Sequence, residues 1–397
     1  MDYSENNKYD LMKFMVLGLM VFSPVSSLLS MSFLHLPLAL PELFFLPFYF
    51  LLQKKIRSVQ LKSRSVFKVI YLLIIMLLCA LFSANFSLFA ILSNARAWLY
   101  LFLSFCIFRY DNDITYDDIL YLALGSIIGW GVVCLYTINR FILFGDYHVS
   151  VTYGLMLSLP LFYSIAIYKK EKVLLMIGFI MTMVIIIFSG TRRVILVTTL
   201  SIIVPLIVVA LIRKKNIFLY SIASLIVFVV VYTTVPTIEN VVKEISPHLH
   251  FRLFTRTESL ITGGLEASDD LGRLGIITST YDEMLKSCLP NGFISMQTAT
   301  DDNTGHYNDY PFSMLMWIFS WPLAFLILLY AIIITMKNIR VVIKTEALPP
   351  LVSTVCLLTI LFLLFLDGSF LTYAYATPIT GAVLAISVKT AKQRHYN

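Results

Sequence analysis

Two adjacent guanidinium groups, Arg192 and Arg193, close the run Ser189-Gly190-Thr191-Arg192-Arg193 and have no carboxylate beside them. Small residues next to paired arginines leave room for a ligand, and the guanidinium fork matches phosphate oxygens in a way that lysine does not. The competing reading is that both side chains reach out to lipid headgroups. His306, in Gly305-His306-Tyr307-Asn308-Asp309-Tyr310, is the side chain best poised to accept a proton near neutral pH, with Asp309 near enough in sequence to orient it. A lone histidine at the edge of an apolar span is more often structural or incidental. Arg273 opens a helical pattern that runs through Lys286 and stops at Pro290-Asn291-Gly292, and Asp269 or Asp270 can cap its start. A cation in a first helical turn opposes the helix dipole, which points either to an anionic ligand or to a salt bridge with a nearby aspartate.

Three further arginines extend the set. Arg96, in Asn94-Ala95-Arg96-Ala97-Trp98, falls about two turns into an apolar span, where facing lipid costs ~2.5–3.5 kcal/mol or more. It should face the bundle interior or a wet cavity, where Glu42 and the phosphate of a bound lipid are candidate partners. Arg252 and Arg256 belong to Pro247-His248-Leu249-His250-Phe251-Arg252-Leu253-Phe254-Thr255-Arg256, whose alternation fits a short amphipathic segment at a membrane surface.

The elements that hold these residues are set by composition. With 59% apolar and 13% charged residues and a mean hydropathy of +0.84, the chain reads as membrane-embedded. The apolar stretches predict an all-α fold, a polytopic transmembrane helix bundle of about 12 spans. They are approximately 11–34, 37–53, 69–85, 88–108, 119–138, 151–168, 173–189, 194–212, 216–236, 311–336, 349–366 and 369–389. One large outward-facing loop, 237–310, separates spans 9 and 10 within a single integral membrane domain, 1–397. The first span is too long for the apolar core of a cleaved signal peptide.

Charge sets the orientation. The loop holds five lysines and arginines against eleven carboxylates, a net of −6, so the remainder carries +13 of the total +7. That excess sits in short connectors: Lys54 to Lys68, Lys169 to Lys172, Arg213 to Lys215, Lys337 to Lys344 and Lys389 to Arg394. All fall on one side if both termini are cytoplasmic, which faces the loop outward and argues against a nucleic-acid footprint. The acidic connector 111–118 is not placed by this rule. Gly125 and Gly129, with Gly131 beyond, predict close helix packing. Of the five cysteines only Cys288 lies in the loop, and no His/Cys spacing suggests a metal site.

The order of these elements resembles the Wzy-type O-antigen polymerases and the related O-antigen ligases, multispanning glycosyltransferases of the bacterial inner membrane. The matching elements are the Ser189 to Arg193 turn, the Arg-started pattern from Arg273 to Gly292, and the His306-Tyr307-Asn308 element before the next span. Tyr307 separates the histidine and asparagine that family members commonly have adjacent, and Arg193 replaces a small residue. The resemblance implies undecaprenyl-diphosphate-linked oligosaccharide and polysaccharide substrates, membrane lipids as surroundings and a chain-length regulator as a candidate partner. It implies Arg192, Arg193 and Arg273 on the diphosphate, His306 as base, and Arg96, Arg252 and Arg256 as phosphate or positioning groups. Tyr307 and Asn308 would contact substrate, Tyr310 and Trp317 would stack on sugars or sit in an aromatic belt, and neither metal nor cofactor is required. A ligase, transferring to lipid A–core, shares this donor. A transporter would instead rely on Glu42, the clearest deep carboxylate, near Pro37, Pro41 and Pro47.

Overall fold

The computed structural model describes residues 3–29, 71, 74–80, 88–110, 114–144, 155–189, 192–212, 311–345, 347–365, 371 and 376–392, with short pieces at 222, 229, 239–241, 243–244, 250, 281–282, 285–286 and 288–292. Every regular element among them is helical. In chain order they are α1 (Tyr3–Val21), α2 (Val25–Leu28), α3 (Leu88–Tyr110), α4 (Tyr116–Phe144), α5 (Leu155–Lys169), α6 (Lys172–Ser189), α7 (Arg192–Ile212), α8 (Pro311–Phe319), α9 (Trp321–Thr345), α10 (Leu348–Leu363) and α11 (Thr377–Lys392). Two stretches, Tyr116–Tyr136 within α4 and α9, are long and apolar enough to cross a membrane. Leu155–Lys169, Lys172–Ile186, Leu196–Val209 and Leu348–Leu363 are shorter apolar helices. The expected spans 37–53 and 216–236 lie almost wholly outside the described residues.

The chain core is built on glycine crossings. A Cβ on Gly18 would stand 2.0 Å from the Leu122 carbonyl oxygen, and one on Gly125 2.0 Å from that of Met15. A Cβ on Gly129 would meet Ser23 Oγ at 2.2 Å, so α1 and α4 touch backbone to backbone. Gly131 is looser, with Met181 Sδ at 3.4 Å. Ser126 Oγ donates to the Phe22 carbonyl at 2.6 Å and lies 2.7 Å from Ser158 Oγ, which brings α5 onto the same crossing. Between α3 and α11, Gly381 faces the Leu101 carbonyl, and Ser104 Oγ donates to the Pro378 carbonyl at 2.6 Å. Small residues at such crossings let the backbones approach closely, so dispersion and short polar contacts hold the helices together.

Two expected spans are divided. The first, 11–34, ends as α1 at Val21, because Pro24 has no N–H to continue the ladder. Ser23 Oγ donates to the Leu19 carbonyl and accepts from Val25 N–H at 3.3 Å, taking over groups that the interruption frees. Span 10, expected at 311–336, is interrupted at Ser320, which has φ +75° and separates α8 from α9. Phe312 and Phe325 have ring centroids 5.2 Å apart. In one straight helix they would be about 20 Å apart along the axis, so α8 folds back against α9.

A buried polar contact joins α9, α10 and α11. Asn338, fully buried, donates through Nδ2 to Ser353 Oγ at 2.5 Å and to the Ser387 carbonyl at 3.4 Å. Asn338 lies among the connector lysines in sequence, and its interhelical role is visible only in three dimensions.

Candidate functional site

The bundle has two distinguishable ends. Val209 of α7, Val342 of α9, and Leu351 and Val355 of α10 form one buried cluster with Ile167 and Tyr168 of α5. This cluster lies beside Lys169, Lys170 and Lys344, so the connectors after α5 and α9 share an end. Asp117 Oδ1 accepts from Lys169 Nζ at 2.5 Å, which adds the start of α4 to the same end. Thr115 caps that start, its N–H and hydroxyl both reaching Asp118 Oδ2 at 2.8 and 2.9 Å. The acidic connector that charge alone did not place is thus paired with a lysine of the basic end.

The opposite end carries the start of the helix that Arg192 and Arg193 begin. α6 runs away from Lys172, so the turn into α7 lies at its far end, and Arg192 and Arg193 are the first two residues of α7. They were expected in the turn before a helix starting near 194; the helix begins two residues earlier. α10 runs the same way from Leu348, and its last turn meets α8: Phe312 N–H donates to the Leu364 carbonyl at 3.0 Å. The rings of Phe312 and Phe365 lie 5.5 Å apart, with Tyr281 of the loop at 6.4 Å from Phe312. The start of α7, the α8 helix and a residue of the loop therefore share one end of the bundle.

Below that end lies the interruption at Ser320. The carbonyl of Ile318 would normally accept from the residue four further on, which is Pro322 and has no N–H. Gly292 N–H donates to it instead, at 3.1 Å. Asn291 donates to the Trp317 carbonyl through both its backbone N–H and Nδ2, each at 3.2 Å. Gly292 has φ +74° and is wedged so closely against helical residues 74–80 that a Cβ would lie 2.1 Å from the Met76 carbonyl oxygen. Only glycine satisfies both demands. The Pro290-Asn291-Gly292 turn is a docked cap on α8.

Arg96 sits in α3 eight residues from Leu88, half-buried, and its neighbour Trp98 packs edge-on against Phe319 at 5.2 Å. Its helix thus passes the level at which α8 ends. Trp321 Nε1, at the start of α9, is buried there with no hydrogen-bond partner. In the loop, His250 Nε2 lies 2.9 Å from Glu239 Oε1. Cys288 is exposed, three residues before Asn291. Among the described residues no group of three His, Cys, Asp or Glu side chains is placed to hold a metal ion.

Of the residues singled out in the sequence, Arg252, Arg256, Arg273, His306, Tyr307, Asn308, Tyr310 and Glu42 lie outside the described residues, as do the side chains of Arg192 and Arg193. The backbone carbonyl of Trp317 accepts from Asn291. Sequence reasoning missed Ser320 and Pro322, although a proline inside an apolar run is a readable sign of interruption. No protein-family model, curated protein or solved structure matches the chain.

Proposed function

We propose that the chain is an integral-membrane polysaccharide polymerase of Wzy type, a metal-independent glycosyltransferase with about 12 spans. Its lysine-rich end and both termini face the cytoplasm of a bacterial inner membrane, and the loop faces the periplasm. The growing undecaprenyl-diphosphate-linked glycan is transferred onto a lipid-linked repeat unit. The acceptor hydroxyl oxygen bonds to the anomeric carbon of the donor, the carbon–oxygen bond to the diphosphate breaks, and the diphosphate leaves with the electron pair. His306 takes the hydroxyl proton. Arg192, Arg193 and Arg273 hold the departing charge, as preorganised cations do without a metal.

The observation that supports this reading is the shared end of the bundle. Arg192 and Arg193 start α7 at the end where α8 begins, five residues after His306. Two cations at a helix N-terminus oppose its dipole, and an anion bound there relieves the conflict while engaging free backbone N–H groups. A second reading, transport, is favoured by the α8–α9 interruption, since broken helices line transporter sites.

The test is a gel profile of surface lipopolysaccharide from a strain lacking the chain, beside a complemented strain. Core bearing a single repeat, with the ladder gone, supports the polymerase. Bare core with lipid-linked polymer accumulating points to the ligase, and an unchanged ladder rejects both.

A further inference from the structure

We infer that the outward face of α9 is a binding site for an anionic phospholipid, its phosphate held by Lys337, Arg340 and Lys344 and an acyl chain lying along the apolar turns before them. The inference rests on the membrane-embedded reading of the chain and stands apart from the polymerase reaction. α9 has two unlike faces. Ala324, Ile334, Thr335, Asn338 and Val342 are buried against the bundle. On the other face Leu323, Leu326, Tyr330 and Ile333 are between 40% and 59% exposed. Lys337, Arg340 and Lys344, all exposed, continue that stripe in the same alternating steps of three and four residues. Only 22% of the apolar stretch of α9 is buried, against 72% of that in α4, so α4 is a core helix and α9 a peripheral one.

The division of this face selects its occupant. From Leu323 to Ile333 the helix rises about 15 Å, half of the ~30 Å hydrocarbon core and so the depth of one leaflet's acyl chains. The cations follow at the lysine-rich end, where Val342 belongs to the buried cluster beside Lys344. That is the order of acyl chain and headgroup in the cytoplasmic leaflet. No ion pair among the described residues involves Lys337, Arg340 or Lys344. Like charges three and four residues apart on a helix repel one another. The helix dipole favours Lys344 in the last turn, but its effect has faded at Lys337 and Arg340. A phosphate among the three relieves the repulsion, and the Arg340 guanidinium can hold two of its oxygens at once. A zwitterionic lipid brings its own cation to the same place and gains less. A second copy of the chain, paired through this face about a two-fold axis along the membrane normal, would set cations against cations.

Photocrosslinking of the full-length protein, with Tyr330→benzoylphenylalanine, tests the site in nanodiscs of equal parts phosphatidylglycerol and phosphatidylcholine. Light joins the ring to whatever lies against it, and the mass of the adduct identifies the occupant. Phosphatidylglycerol should be the major adduct. Lys337→Gln with Arg340→Gln should lower the ratio of the two lipid adducts about 25-fold, that is about five-fold for each surface cation. Lys337→Arg should keep the ratio. Lys172→Gln removes an exposed cation at the start of α6, at the same end of the bundle, and should leave the ratio unchanged. Equal adducts of the two lipids overturn the site. An equal fall in Lys172→Gln and in the α9 variant also overturns it, because general surface charge would then account for the preference. An adduct with protein, a second copy included, overturns it too. A chain that joins neither lipid and stays soluble without a nanodisc rejects the membrane reading as well. The readout needs no polymer, so a failed polymerase reading leaves its result intact.

Discussion

Asp117 and Lys169 meet at 2.5 Å across 52 residues of sequence, joining the connector before α4 to the one after α5. The pair fixes both connectors at one end of the bundle, and so gives the alternating charge pattern a three-dimensional counterpart. It is half-exposed on the aspartate side, which limits its worth to roughly 1 kcal/mol or less. Asp117→Asn should therefore lower the melting temperature by only a few degrees at most, and leave polymer formation unchanged. A melting curve in detergent, with and without added salt, checks both the size and the screening of the effect.

The glycine crossing should respond far more strongly. Gly125→Ala brings a methyl group to 2.0 Å from the Met15 carbonyl, so α1 and α4 must separate, at a cost of about 1–3 kcal/mol. Gly131→Ala meets only the flexible Met181 side chain at 3.4 Å and should be neutral. Thermal unfolding of the two variants side by side reads the difference; equal melting temperatures would contradict the backbone contact.

Asn338→Ala removes the donor shared by Ser353 and the Ser387 carbonyl. Interhelical polar contacts of this type are worth about 0.6 kcal/mol on average and ~1.7 at most within a membrane. A small loss of stability with full activity is expected, because the contact lies near the lysine-rich end. Loss of activity at unchanged stability would move the functional site to that end.

Arg192→Ala should abolish the polymer ladder with the protein still inserted, since losing one charge-stabilising donor costs about 10²–10³ in rate. His306→Ala should cost about 10²–10⁴ if the ring takes the proton. Both are measured as ladder formation in a complemented deletion strain at matched protein level. Full polymer from Arg192→Ala removes the diphosphate site from this turn, and a requirement for Glu42 in place of Arg192 and His306 would favour transport.

Chelation of divalent ions should leave polymer formation in membrane vesicles unaltered, because arginines carry the charge on the leaving group in this reading. Loss of product on adding a chelator, recovered with magnesium, would reassign that role to a metal.

The existence of the described helices, more than their length, was legible from composition because apolar runs are long and separated by charged connectors. The starts of α3 and α10 fall at or within one residue of the expected boundaries, as do both ends of α6. Gly125 and Gly129 announced their crossing by spacing alone, since only small residues permit that approach. Hydropathy passes over the interruption at Ser320, because it takes no account of the missing N–H of Pro322; the proline itself was the readable sign. The docked turn at Asn291 and Gly292 was legible as a helix stop, yet not as a cap for a helix that starts about 20 residues later in the chain, because such pairing depends on tertiary contact. Asp117 was illegible for the same reason: a connector charge acquires meaning only from the partner that folding brings to it.

The close approach of α1 and α4 has a consequence for how the molecule is made. Gly18 and its partners on α4 are separated by about 100 residues, which a ribosome adds in roughly 5–20 s. Throughout that interval α1 exists without the surface against which it finally rests. The small surface that permits backbone contact in the finished protein suits any other helix that presents small residues, so until α4 is made α1 lacks only its matching partner, not a face to pair with.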